Sequence, residues 1–128
     1  MKVLSIKEPF ASLICLKKKK IETRSFKTNY RGKLYIHASL KNHAKDDRYE
    51  KIMKLLPKDY EFQNGYIICE CNLADCIYMD DEFLEKIKKD ETEYSCGRYE
   101  KGRYAWIITD VKKIDRLPAK GKLGIWNY

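Results

Sequence analysis

Basic and aromatic residues interleave between residues 17 and 33, and this is the first segment of the sequence whose residue types could do chemistry. It holds eight lysines and arginines, with Phe26 and Tyr30 between them. Cationic groups neutralise phosphates and aromatic rings stack on exposed bases, so the composition is typical of a surface for RNA or another single strand. A solvated, lysine-rich sheet edge explains the same residues equally well, because runs of charge are commonly no more than that.

A short strand is expected over residues 20–25, and it determines which side chains share a face. Because side chains alternate along a strand, Lys20, Glu22 and Arg24 point one way. Thr23 then points to the opposite face. A charged row of mixed sign beside a cleft suits acid–base work or a polar ligand, with Glu22 orienting Arg24 or accepting from an amino group. A structural ion pair between Glu22 and Arg24 is the plain alternative.

His37 is the candidate for proton transfer. The pattern predicts a strand over residues 33–38, in which Tyr35 and His37 lie on the face opposite the core. An imidazole titrates near neutral pH and serves as a general base or donor where its geometry allows. His43 is the other histidine, and no paired carboxylate is adjacent in sequence, so a structural, hydrogen-bonded role for His37 is the more ordinary interpretation.

The five cysteines do not have the spacing of a metal site. Cys69-x-Cys71 followed by Cys76 lacks the C-x2-C spacing of zinc ligands, and there is no second pair. Cys69 and Cys71 share one face of a predicted strand, where free cysteine behaves as a small hydrophobe. An odd number without disulfide-framework spacing favours free thiols in a reducing compartment. Phosphate-binding glycine loops are absent too, so we predict neither a metal nor a cofactor.

The hydrophobic periodicity predicts more strands than helices to hold these residues. Strands are expected at residues 2–6, 20–25, 33–38, 65–79, 103–111 and about 122–127. Helices are expected at residues 9–17, at 46–56 and directly after Asp80-Asp81, followed by a polar loop through Gly97. The inward positions of the third strand are Leu34, Ile36 and Ala38. Because strands and helices do not alternate regularly, the expected class is α+β with a curled sheet.

Length and charge limit the remaining classes of protein. With 128 residues, 44% of them hydrophobic, the chain is expected to form one domain over residues 1–128. Lysine and arginine number 27 against 19 acidic residues, and the net charge of +8 favours an anionic partner, nucleic acid first. No stretch is apolar enough to span a membrane and the first residues are too polar for a signal peptide, so we expect a soluble cytoplasmic protein. The oligomeric state is left open.

Three blocks of sequence, in order, resemble the activating signal cointegrator homology (ASCH) domain. They run from Val3 to Ile14, from Lys19 to Phe26 and from Tyr30 to Ala38, and the closing residues Lys120 to Trp126 are similar to that family's last strand. The resemblance implies a small PUA-like β-barrel with flanking short helices. It also implies a cleft beside the barrel, lined by a Lys-x-Ile-Glu-x-Arg pattern whose members here are Lys19, Glu22 and Arg24. Related domains bind RNA, and some bacterial members hydrolyse modified nucleosides or RNA.

The sequence departs from the family's pattern at several positions. In the amidohydrolase branch, a Lys-x-x-Thr arrangement supplies a threonine nucleophile and its lysine base, and Glu22 stands at that threonine position here. Thr23 is adjacent but is expected on the opposite strand face. Lys17 stands where many members have glycine, and Phe10 and Phe26 stand where tryptophan is usual.

Two functional hypotheses from different classes follow. The first is a binding module for RNA or single-stranded nucleic acid, whose contact residues are Lys19, Glu22, Arg24, Phe26, Lys27, Tyr30 and Arg31. The alternative is a small hydrolase acting on RNA or a modified nucleoside, with Lys19, Glu22 and His37 as its catalytic residues. A protein-interaction domain, in which the charge serves only solubility, is a third interpretation.

Overall fold

Six strands and four short helices make up the chain, which the computed structural model describes over all residues 1–128. In chain order they are β1 (Lys2–Glu8), α1 (Phe10–Cys15), β2 (Ile21–Arg24), β3 (Gly32–Asn42), α2 (Tyr49–Met53), β4 (Tyr66–Tyr78), α3 (Asp81–Ile87), α4 (Glu91–Ser95), β5 (Tyr104–Pro118) and β6 (Ile125–Asn127). The α+β class is confirmed. Not one of the helices has the length and apolar character needed to cross a lipid bilayer.

All six strands belong to one mixed sheet in the order β2-β5-β4-β3-β1-β6. β1 runs parallel to β3, and every other neighbouring pair is antiparallel. The expectation of a closed barrel is wrong, because β2 and β6 are edge strands that do not pair with each other. β2 has four residues and β6 has three, so neither offers a long edge for closure. Three register shifts between β4 and β5 instead bend the sheet, since bulges increase its local twist.

The main core lies between the curved sheet and α1. Leu34, Ile36 and Ala38 are fully buried, which confirms the inward positions predicted for β3. They pack in one cluster with Ile14 of α1 and Trp106 of β5. Burying large apolar side chains is the dominant favourable term in folding, so this cluster is what holds α1 against the sheet.

Several elements differ from the sequence expectation: β3 and β5 extend further than expected, α2 is shorter, and one helix was not expected at all. β5 continues to Pro118, well past residue 111, because its second half pairs with the start of β4, and its half-buried Ile114 and Leu117 pack against Ile67 and Trp126 between exposed charged residues. A helix, α4, occupies part of the predicted polar loop. Asp90, the residue before α4, is its N-cap, and its side chain accepts a hydrogen bond from the Glu93 N–H at 3.2 Å.

The expectation that all five cysteines are free is also wrong. Cys15, at the end of α1, forms a disulfide with Cys69 of β4, across a Cα–Cα distance of 5.8 Å and a sequence separation of 54 residues. Cys71, Cys76 and Cys96 are free thiols. The pairing arises because Cys69 faces the core and α1 packs on that same face, a contact that no local spacing of cysteines reveals.

Both ends of α1 are held by specific backbone arrangements. The buried carboxylate of Glu8 accepts hydrogen bonds from the Ser12 N–H at 2.8 Å, the Ser12 hydroxyl at 2.5 Å and the Gln63 N–H at 2.9 Å. At the other end Lys17 has a φ of 63°, and the Lys18 N–H returns to the Leu13 carbonyl at 2.9 Å. A residue with positive φ just past a helix is the usual way to end it.

Candidate functional site

A cleft of about 800 Å³ opens beside β1, β2 and β3, and it is also bordered by residues 96–98, by Arg103 and by residues 120–124. Eight cationic residues line it, namely Lys7, Arg24, Lys41, Arg48, Arg98, Arg103, Lys120 and Lys122. Glu22 is the single acidic residue of the lining. Such an excess of one charge in a concave surface focuses the electrostatic field and attracts anions.

Glu22 and Arg24 meet in this cleft, as their shared strand face predicted. Arg24 Nε donates to Glu22 Oε2 at 2.9 Å, and Arg24 Nη2 lies 2.8 Å from the same oxygen. Nη2 also donates to the Ser5 carbonyl at 3.0 Å, and the guanidinium carbon lies 5.8 Å from the Trp106 ring centroid. Arg24 is therefore fixed by three strands, while its Nη1 and the Oε1 of Glu22 have no partner in the protein.

Lys19 lies beneath the cleft rather than in its lining. Only 1% of the residue is exposed, and its Nζ donates to the Ile21 carbonyl. The ammonium lies 5.4 Å from the centroid of Phe10, whose ring does line the cleft. Lys19 instead borders a smaller groove of about 490 Å³ together with Lys17, Lys20 and Lys112.

A buried carboxylate, Glu93 of α4, accompanies Lys19, and sequence reasoning missed it. Glu93 accepts a hydrogen bond from the Lys20 N–H, while its Oε2 is buried without a partner. Burial raises the pKa of Glu93 above its usual value, although the charge of Lys19 and the Lys20 N–H act in the opposite direction. The Asp-x-x-Glu spacing from Asp90 to Glu93 is the local signal that marks this helix start.

His37 is buried, and both of its ring nitrogens are occupied. Nδ1 lies 2.9 Å from Ser5 Oγ, and Nε2 lies 2.9 Å from the Ala119 carbonyl. A carbonyl oxygen only accepts, so His37 Nε2 carries the proton and donates to Ala119. Nδ1 then accepts from the Ser5 hydroxyl, and the Ser5 oxygen in turn accepts from Trp126 Nε1 at 3.0 Å. These contacts favour the structural interpretation of His37, because no nitrogen is left for proton transfer.

Four further residues predicted at the site lie outside the cleft lining, in the connection from β2 to β3. Phe26 is 47% exposed and meets the Trp106 ring edge-on at 5.8 Å. Tyr30 donates to the Lys33 carbonyl, Lys27 is exposed, and Arg31 donates to two nearby carbonyls and lies 3.6 Å from Asp75. Their contact with a ligand stays a prediction.

Three arginines of the cleft come from distant parts of the sequence and were missed. Arg48 donates to the Gly97 carbonyl at 2.9 Å and pairs with Asp46 at 3.1 Å. Arg98 pairs with Glu100 at 3.1 Å, and its N–H donates to Thr23 Oγ1 at 3.2 Å. Arg103 completes this wall of the cleft. Each of these residues is unremarkable in its local sequence, so no periodicity or motif marks it.

Thr23 and His43 also border the cleft. The Thr23 hydroxyl accepts from the Arg98 N–H, so that oxygen serves the backbone of the cleft wall. His43 Nε2 lies 3.2 Å from Asp46 Oδ2, and its ring packs 4.8 Å from the Phe10 centroid. No group of three or more histidine, cysteine, aspartate or glutamate side chains is arranged to hold a metal ion.

One protein family matches most of the chain in comparison with known proteins. The family model of the ASCH domain matches residues 4–118, from β1 to the end of β5. No curated protein matches the sequence significantly. The family match covers Glu22, Arg24 and the arginine wall of the cleft, but it ends before residues 120–124.

Proposed function

Since the chain belongs to the ASCH domain family, whose fold is PUA-like, we propose that it binds RNA or another single-stranded nucleic acid in the basic cleft. The observation that carries this proposal is the cleft lining, in which eight cationic residues face one acidic residue. Phosphates of a nucleic acid neutralise such a surface and release counterions as they bind.

The Glu22–Arg24 pair is suited to the edge of a base. Arg24 Nη1 is a free donor and Glu22 Oε1 is a free acceptor, and both belong to side chains that the protein already holds in place. Guanidinium groups donate to base acceptors, and carboxylates accept from amino groups such as that of cytosine. The pair therefore serves structure and recognition at the same time, which reconciles the two interpretations of its sequence pattern.

The size of the cleft limits how much of a strand it takes. Small-molecule sites span roughly 300–1,000 Å³, so a cleft of about 800 Å³ accommodates one or a few nucleotides. We propose that the rest of the strand leaves the cleft past the β2–β3 connection. There Phe26 and Tyr30 would stack on bases, while Lys27 and Arg31 would contact phosphates.

The hydrolase alternative receives less support from the contacts of its three catalytic candidates. Lys19 is buried beneath the cleft and His37 has both nitrogens occupied. Glu22 keeps one free oxygen, Oε1, while its Oε2 is paired with Arg24. A general base needs a free site within hydrogen-bond reach of the proton that it abstracts. These contacts favour binding over turnover, and the same experiment separates the two.

Fluorescence anisotropy tests the proposal directly. Labelled single-stranded RNA, with duplex DNA for comparison, is titrated with the wild-type protein and with Arg24→Ala at several salt concentrations. We expect Arg24→Ala to weaken RNA binding by about tenfold, since it removes charge-assisted hydrogen bonds. The wild-type log–log salt slope should be about −0.7 per neutralised phosphate.

The matched control is Arg116→Ala, which removes an exposed arginine of β5 outside the cleft. Equal losses in the two variants would mean that net charge alone binds RNA and that the cleft is not the site. Absence of binding at low salt would refute the nucleic-acid proposal. Shortened RNA on a gel after the titration would favour the hydrolase.

A further inference from the structure

Arg103 differs from every other arginine of the cleft in having no carboxylate partner. Arg24 pairs with Glu22, Arg48 with Asp46 and Arg98 with Glu100, each within 3.1 Å. No carboxylate lies within 4 Å of the Arg103 guanidinium, although the residue is half-buried. Arg103 is therefore the arginine of the cleft whose charge is left for an anion from outside the protein.

The position of Arg103 is nonetheless well defined. Its Nε donates to the Arg98 carbonyl at 3.0 Å, its N–H donates to the Glu100 carbonyl at 3.2 Å, and its carbonyl accepts from the Met79 N–H at 2.9 Å. These contacts leave both terminal nitrogens, Nη1 and Nη2, without an acceptor in the protein. A guanidinium held in this way presents a rigid two-pronged donor and loses little entropy when it binds an anion.

The surroundings of Arg103 are cationic. Burial lowers its pKa below the usual value, and the positive charges of Arg98 and Arg24 lower it further, while Glu100 and Glu22 act in the opposite direction. Arginine stays protonated even so, because its pKa starts far above neutral. The result is an excess of positive charge at one end of the cleft, which an anion would offset.

We propose that Arg103, flanked by Arg24 and Arg98, binds a phosphate group of the nucleotide held in the cleft, so that the cleft selects phosphorylated ligands over the corresponding nucleosides. This inference rests on the proposed function and adds the chemical class of its ligand. The two Nη atoms of Arg103 and the free Nη1 of Arg24 suit a phosphate, whose several oxygens accept from guanidinium groups in a bidentate manner. The base then lies toward Glu22, whose Oε1 is the free acceptor.

Isothermal titration calorimetry with cytidine and cytidine 5′-monophosphate (CMP) tests this arrangement. Cytosine is chosen because its amino group is a donor for Glu22. For the wild type we expect CMP to bind at least about tenfold more tightly than cytidine. Arg103→Ala should remove most of that difference, because CMP loses more affinity than cytidine does when the proposed phosphate contact is removed. Arg116→Ala is the control and should keep the wild-type difference.

Both Arg103→Ala and Arg103→Lys remove the hydrogen bond from Nε to the Arg98 carbonyl, but lysine keeps a long aliphatic stem and a cation at this half-buried position, so Arg103→Lys guards against a folding defect. Lysine keeps the charge but loses the fork, so we expect an intermediate preference for CMP. If Arg103→Ala lowers the Tm by more than about 5 °C, the Arg103→Lys result decides. Unchanged CMP affinity in that variant would then overturn the inference.

Other outcomes separate the inference from the proposed function. Equal affinities of the wild type for CMP and cytidine, or binding of neither, would overturn the phosphate site. RNA binding that depends on Arg24, without any effect of Arg103 on CMP, would overturn the phosphate site and leave the proposed function standing. A preference for CMP that depends on Arg103, without any RNA binding, would uphold the phosphate site and refute the proposed function.

Discussion

Arg24 makes all of its carboxylate contacts on one oxygen of Glu22, and this leaves part of the pair free for the proposed ligand. A guanidinium that saturated both oxygens would close the pair to any ligand. Here the pair keeps one donor and one acceptor free, and the Ser5 carbonyl and the Trp106 ring hold the guanidinium in position. Preorganised polar groups of this kind bind at a lower entropic cost than mobile ones.

Glu93 is a buried carboxyl whose ionisation opposes folding. Because burial raises its pKa, the folded protein holds the proton of Glu93 more tightly than the unfolded chain does, so ionisation of Glu93 costs stability, and the cost is complete above its folded-state pKa. Glu93→Gln should therefore raise the Tm at pH 7 relative to the wild type. The gain should shrink as the pH falls through the folded-state pKa of Glu93, because the wild-type carboxyl then becomes neutral as well.

Thermal unfolding of both proteins between about pH 4 and 8 measures this difference in Tm, because the range runs from near the ordinary pKa of glutamate to above neutral pH. Glu91→Gln, an exposed position in the same helix, is the control and should shift the Tm little at any pH. A Glu93→Gln protein that is less stable than the wild type at pH 7 would show that the attraction to Lys19 outweighs the cost of burial.

The backbone conformation at the end of α1 explains why glycine suits position 17, where this chain has lysine. Lys17 adopts a φ of 63°, a conformation that costs an L-residue roughly 1–2 kcal/mol and costs glycine almost nothing. Glycine also gains freedom in the unfolded chain, which offsets part of the benefit. We expect Lys17→Gly to stabilise the protein by about 0.5–1 kcal/mol.

Urea denaturation measures this change in the free energy of unfolding. Lys18→Gly is the matched control, because Lys18 is exposed and does not have a positive φ. That substitution adds only unfolded-state freedom and should destabilise the protein by up to about 1 kcal/mol. Equal effects of the two glycines would contradict the strain assigned to Lys17.

Residues 120–124 line the cleft, and Gly121 approaches the buried His37 closely. A Cβ at Gly121 would lie 2.9 Å from His37 Cε1 and from Ser5 Oγ, so a larger residue there would collide with the hydrogen-bonded chain of Ser5, His37 and Trp126. The loop is anchored by the Ala119 carbonyl, which accepts from His37 Nε2. Through this contact His37, which is itself part of the cleft wall, helps to position Lys120 and Lys122 there.

At the scale of the whole molecule, the Cys15–Cys69 disulfide joins α1 to β4, a central strand of the sheet. It closes a long loop, and cross-links of this kind typically stabilise a fold by about 2–4 kcal/mol, chiefly by limiting the unfolded chain. Reduction with dithiothreitol should lower the free energy of unfolding by that amount, as urea denaturation measures it.

The double variant Cys15→Ala/Cys69→Ala provides the second arm of this experiment, and it should be insensitive to the reductant. Cys76→Ala, which removes a free thiol, should keep the wild-type response to dithiothreitol. A wild type whose unfolding is the same with and without reductant would contradict a stabilising role for the disulfide.

Local patterns in the sequence predicted the six strands, three of the four helices, the inward face of β3 and the shared face of Glu22 and Arg24. These features depend on the periodicity of side chains along one segment, which the sequence contains in full. The net charge of +8 likewise follows from composition alone and already favoured an anionic partner.

Only the tertiary structure decided where that charge gathers and how the sheet ends. Arg48, Arg98 and Arg103 reach one cleft from distant segments, Lys19 is drawn beneath it, and the edge strands β2 and β6 leave the sheet open. The Cys15–Cys69 bond has the same origin. Each of these outcomes depends on contacts between residues far apart in sequence, and such contacts leave no mark on the spacing of the residues within either segment.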